Sequence, residues 1–237
     1  MARPSALPDP ANEDKIRDAA CVILIDSPQS VPTLLMGRRH ADQVFLPDKW
    51  VFPGGRVEAG DRDAAERFTG DYAPRDLAPG IRPFAFAALR ELAEETGLVI
   101  GNKERATTDL QEESCGDVTA VGYTAPALLY PLARAITPPG RVRRYDTWFF
   151  TASRGAVLDV PANPDGELLN LDWFTLGEAR KLDLPNITRL VLEDVASRLQ
   201  IGADEWDSSD EKLPFYCADA CGFRRTLISC TVALRTP

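Results

Sequence analysis

Histidine is nearly absent from this 237-residue chain: His40 is the only one. A catalytic machinery built on several imidazoles is therefore excluded, and so is a histidine-rich metal cage. The five cysteines are Cys21, Cys115, Cys217, Cys221 and Cys230. Five is an odd number and no CxxC pair occurs, so the sequence predicts reduced thiols in the cytoplasm, not a disulfide framework. Cys217 and Cys221 are four apart and would meet on a helix, but a zinc site needs two more soft ligands than the chain offers nearby. No apolar run approaches the roughly 20 residues of a membrane span. The N-terminal stretch lacks the apolar segment of a secretory signal, and residues 1–18 read as a loose arm. A basic surplus is also missing. With 36 acidic against 27 basic residues the net charge is −9, which repels nucleic acid and anionic membranes over most of the surface. A small anionic substrate remains compatible with that charge, because a bound cation and a few arginines reverse the local field.

The 44% apolar content is ordinary for a globular chain. Residues 19–237 read as a single domain with an insertion at about 62–82. Ala19 to Asp26 is a continuous apolar run, as expected of a strand buried on both faces. Thr33 to Gly37 reads as its hairpin partner, and Trp50 to Gly55 as a short strand entering a glycine turn. Further strands are predicted at 128–135, 146–152 and 168–174. Pro83 to Thr96 has the marks of a helix, with proline in the first turn and Gly97 just past the end. A short helix is expected around 63–68, and another over 186–199. The stretch 101–116 reads as a charged excursion, and the tail after Asp204 is left open. Strands dominate, so the fold class is α/β (α+β): a mixed β-sheet sandwiched between helices.

Residues three and four apart share a helix face, so Glu91, Glu94 and Glu95 form one acidic stripe. Like charges at this spacing repel, and a divalent cation offsets the repulsion directly. Mg²⁺ or Mn²⁺ suits such hard oxygen ligands and completes its shell with water and substrate phosphate. Ala85, Ala88, Leu89 and Leu92 lie on the opposite face and should pack on the sheet. Arg90 sits where it can hold a glutamate in one rotamer. Taken alone, such a stripe is equally a solvated surface. Gly54-Gly55, placed upstream after a strand, allows close backbone approach to a ligand and offers a carbonyl to a metal.

Gly55, then Arg90-Glu91-Leu92-Ala93-Glu94-Glu95-Thr96-Gly97-Leu98, resembles the Nudix box, Gx5Ex7REUxEExGU with U apolar. The resemblance implies the Nudix fold and metal-dependent hydrolysis of a phosphoanhydride bond in a nucleoside diphosphate linked to another moiety. It implies Glu91, Glu94, Glu95 and the Gly55 carbonyl as metal ligands. The general base is then Glu94 or an acid on a later loop, Asp165 or Glu167. The first box glutamate falls on Asp61, and 28 residues separate Asp61 from Arg90 where the box has seven. Such an inserted box resembles the coenzyme A diphosphatase-like branch, as do Phe45 to Gly55 and Ile136-Thr137-Pro138 followed by Arg144 to Phe150. CoA or acyl-CoA is one implied substrate. ADP-ribose or a dinucleotide is the alternative, as is a nucleotide-binding module without turnover; a house-cleaning triphosphate pyrophosphatase fits the insertion less well. Arg38, Arg39 and Arg144, with Arg141 and Arg143, are candidates to meet phosphates. Trp50, Phe45 and Tyr145 are candidates to stack a base, with core packing the commoner role. The expected partner is a small nucleotide-derived molecule; a homodimer is left open.

Overall fold

The computed structural model describes residues 15–27, 31–43, 45–68, 77–101, 126–158, 164, 166–201, 212–219 and 222–229. The arm up to residue 14, the excursion at 102–116, Asp165, Cys115, Cys221 and Cys230 lie outside them.

The apolar run becomes the central strand β1, Ile16–Asp26, which starts three residues before the expected Ala19. Its alternating side chains serve two cores. Ala20, Val22 and Leu24 belong to one, and Ile23 and Ile25 to the other, all at most 4% exposed. That double burial is why the run shows no polar alternation.

The other strands are β2 (Thr33–Arg39), β3 (Trp50–Val51), β4 (Gly54–Arg56), β5 (Val99–Ile100), β6 (Tyr130–Ile136), β7 (Arg144–Ser153), β8 (Val157–Leu158), β9 (Leu168–Thr175), β10 (Lys212–Asp219) and β11 (Gly222–Ser229). The helices are α1 (Ala59–Arg67), α2 (Arg82–Thr96), α3 (Leu176–Ala179) and α4 (Asn186–Ile201). The main sheet runs β11-β10-β6-β7-β1-β2-β3, with β4 also on β1 and β9 also on β2; β5 and β8 pair separately. It is mixed: β7 runs parallel to β1 from Ile16↔Arg144 to Ile25↔Ser153, while β2 and β4 are antiparallel to it. The open tail resolves into the hairpin β10–β11, and Cys217 lies on a strand instead of the helix considered for it.

One edge of β1 forks. Near its end Ile25 pairs with Leu34 of β2. Near its start Ala20 and Cys21 pair with Gly55 and Gly54 of β4. The predicted single strand from Trp50 to Gly55 therefore divides at Phe52-Pro53, and β3 pairs with β2 instead. The fork drives the glycine turn into the middle of the sheet.

Helix α2 covers one sheet face. Gly97 ends it in the left-handed region, φ 72°, with its N–H bonded to the Ala93 carbonyl at 2.9 Å. Ala85, Ala88, Leu89 and Leu92 are all buried against Val22, Leu24, Trp148 and Phe150. Helices α3 and α4 supply the opposite layer, with Ala179, Val191, Leu192 and Val195 against Ile23, Ile25, Met36 and Phe149. Because Leu92 is fully buried between two acidic residues of the same helix, its packing fixes their direction. Leu92→Ala should cost about 2–5 kcal/mol of stability, read as a lower denaturation midpoint at unchanged slope in urea.

Candidate active site

The acidic stripe of α2 faces β4, and its three glutamates have different surroundings. Glu95 is 2% exposed and accepts the Gly54 N–H at 2.7 Å. Gly54 has φ 156°, and a Cβ there would lie 2.3 Å from the Ala20 carbonyl oxygen, so only glycine fits the close approach of β4 to β1. The Glu91 carboxyl lies directly over Gly55, where an added Cβ would meet it at 2.4 Å. Burial pushes the Glu91 carboxyl up to about 7, with Glu94 and Glu167 adding to the shift and Arg90 opposing it. Glu94 stands on the outer side, its side chain 40% exposed.

Arg90 ties these parts together. Its Nε and Nη2 donate to the two oxygens of Asp61, both at 3.1 Å, and Nη2 also reaches the Arg56 carbonyl at 2.8 Å. Nη1 donates to Glu94 at 2.8 Å and lies 3.0 Å from Glu91. Burial works against the guanidinium charge, but Asp61, Glu91 and Glu94 outweigh it and hold the group protonated. Asp61 is 1% exposed and also accepts the Glu58 N–H at 2.8 Å, closing the first turn of α1. Asp61 is thus seated on Arg90 across the 28 residues that separate them, with α1 running on from it.

The stripe lines a cavity of about 1270 Å³. Glu167 lines it, and the Gln43 amide ties down the Glu167 backbone carbonyl at 3.3 Å. Phe45 and Tyr145 line it as an edge-on pair 5.0 Å apart. Trp50 packs on Phe174 instead. Cys21 also lines the cavity; burial, then the charges of Glu95 and Glu91, push its thiol up to about 12. His40 is an exposed loop residue that accepts the Asp42 N–H.

The candidate arginines separate. Arg39, Arg141 and Arg143 line the cavity; Arg38 and Arg144 do not. Alternation along β2 sends Arg38 away from Arg39, where it pairs with Asp48 at 2.8 Å. Arg144 donates to the Thr137 carbonyl at 3.1 Å and braces the turn between β6 and β7. Arg17, Arg56 and Arg189 line the cavity although no motif marks them. For Arg17 the signal was period two: Arg17, Ala19 and Cys21 share one face of β1.

The donor types are those a hard divalent cation takes: carboxylates on one stripe, a backbone carbonyl beside them, and among the carboxylates one, Glu91, whose hold on its proton burial has tightened. The carboxylates are gathered around Arg90, and among the described residues no three acidic, histidine or cysteine side chains converge on one point.

No family model and no curated protein sequence matches the chain. Among solved structures it is similar to a Nudix hydrolase from Alicyclobacillus acidocaldarius at 28% identity and a TM-score of 0.58, over 77% of this chain and 92% of that one. A MutT protein from Methanosarcina mazei is 13% identical with a TM-score of 0.48, over 79% and 98%. The Nudix domain of Shewanella oneidensis NrtR, solved with ADP ribose, is 14% identical with a TM-score of 0.46, over 81% and 93%. The last two bear on neither substrate nor chemistry.

Two outcomes follow from this geometry. Asp61→Asn leaves the buried Arg90 short of its main counter-charge and should cost about 3 kcal/mol or more of stability, measured by chemical denaturation at pH 7. The second concerns pH. The folded chain holds the Glu91 proton more tightly than the unfolded chain, so stability in EDTA should fall as pH rises from about 4.5 to about 7. Glu91→Gln should flatten that part of the profile.

The box residues meeting around Gly55 and Arg90, the mixed sheet between helices and the 28% identical hydrolase together place the chain in the Nudix superfamily, as an enzyme of its pyrophosphohydrolase kind.

Proposed function

We propose that the protein hydrolyses the diphosphate bond of a nucleoside diphosphate linked to a second moiety, using a divalent cation. The observation that carries this reading is the half-buried acidic stripe set against the Gly55 backbone on the wall of a cavity otherwise rich in arginine. Glu91, Glu94, Glu95 and the Gly55 carbonyl are the proposed metal ligands, and Mg²⁺ or Mn²⁺ the proposed ions. Bound there, the ion would neutralise phosphate charge and lower the pKa of a coordinated water.

The chain's own groups divide the remaining work. Glu94 and Glu167 are the candidates to take the proton of the attacking water, Glu94 as the exposed member of the stripe and Glu167 as the acid facing it. Arg90 is a positioning residue: it sets the Glu91 and Glu94 carboxylates and is itself set by Asp61. Arg39 faces the cavity and replaces Arg38 as the β2 arginine that meets phosphate. Coenzyme A or an acyl-CoA is the first substrate to examine, on the resemblance of the inserted box. ADP-ribose and dinucleotides are the alternative. A binding module without turnover fits less well, because all three stripe glutamates and Arg90 are present, with Glu95 on Gly54, Glu91 over Gly55 and Glu94 on Arg90.

The test is a panel of CoA, acyl-CoA, ADP-ribose and dinucleotides with Mg²⁺ or Mn²⁺, scored by the phosphate-containing products. Glu94→Gln should lower turnover by about two orders of magnitude or more. Full activity in that variant would refute the assignment of the stripe. Metal-independent nucleotide binding without products would favour the binding module.

A further inference from the structure

The arginine content of the cavity exceeds what one diphosphate needs. Arg17, Arg39, Arg56, Arg141, Arg143 and Arg189 line it in addition to Arg90, and no lysine does. Apart from the three stripe glutamates, the acids on its wall are Glu58 and Glu167. This surplus sits in a chain of net charge −9, so it is not the general character of the surface. Arginine is also the side chain whose planar fork matches phosphate oxygens two at a time.

Two of these arginines are held out on a built support. The turn from Thr137 to Arg144 joins β6 to β7. Thr137 N–H bonds to the Tyr145 carbonyl at 2.8 Å, and Thr137 Oγ1 accepts the Tyr145 N–H at 3.1 Å. Arg144 spans the same turn to the Thr137 carbonyl, and Gly140 takes the left-handed φ of 76° that reverses the chain. Between these braces Arg141 and Arg143 are exposed to the cavity mouth, with no carboxylate partner among the described residues. Arg39, on the wall of the same cavity, is anchored by its Nε to the Phe45 carbonyl at 3.0 Å, and Phe45 pairs with Tyr145 at the base of the turn.

We propose that this turn, with Arg39, is a second anion subsite that recognises a phosphomonoester carried by the substrate in addition to its scissile diphosphate. The proposal rests on the diphosphatase reading above and narrows it to nucleotides with a separate terminal phosphate. A substrate ending in an unphosphorylated ribose leaves Arg141 and Arg143 facing water.

Two matched pairs test it: NADPH against NADH, and CoA against dephospho-CoA, each differing by one phosphomonoester. The expected result is a preference of roughly tenfold or more in kcat/KM for the phosphorylated member of at least one pair. The preference should shrink in 0.5 M NaCl. It should fall to within about threefold of unity in the double variant R141Q/R143Q, while R141K/R143K should keep part of it. Titration calorimetry of the same four compounds in EDTA reads the preference without turnover. Binding preference without hydrolysis would sink the diphosphatase reading and leave the subsite standing. Equal kcat/KM and equal affinity within both pairs would overturn the subsite, as would a preference that survives R141Q/R143Q.

Discussion

Arg90 is the constraint on which the site depends. One buried guanidinium reaches Asp61 on α1, the Arg56 carbonyl on β4, and Glu91 and Glu94 on its own helix. Charge buried this deeply is tolerated only when its donors are occupied and its charge is matched. Four groups from three elements are thereby obliged to meet at one place. The stripe is then braced within its own helix by Arg90 and set against the sheet through Glu95 and Glu91.

The fold was legible in the sequence wherever burial wrote itself into the pattern. The unbroken apolar run of β1, the prolines and glycines bounding α2, and the helical period of α4 each placed an element within a few residues. The hairpin β10–β11 was not legible, since the described side chains of β11 are mostly exposed and carry no apolar alternation. The split of Trp50 to Gly55 into two strands was hidden because pairing partners, not residue types, decide it.

The site was legible in part for the same reason. A helix face is a local property, so Glu91, Glu94 and Glu95 could be grouped from spacing alone. Which arginines line the cavity depends on which way a strand is turned and what a turn needs for itself. Adjacent Arg38 and Arg39 point to opposite sides, and Arg144 is taken up by the Thr137 carbonyl while Arg141 and Arg143 are presented. Asp61 and Arg90 are separated by 28 residues along the chain, yet chain distance is a weak constraint when both ends are fixed by other contacts.

Asp61 and Arg90 clamp the two ends of the segment between them, and α1 runs on from the clamp. The number of residues between them is then decoupled from the position of the pair, so length can be added or removed there without parting Asp61 from Arg90.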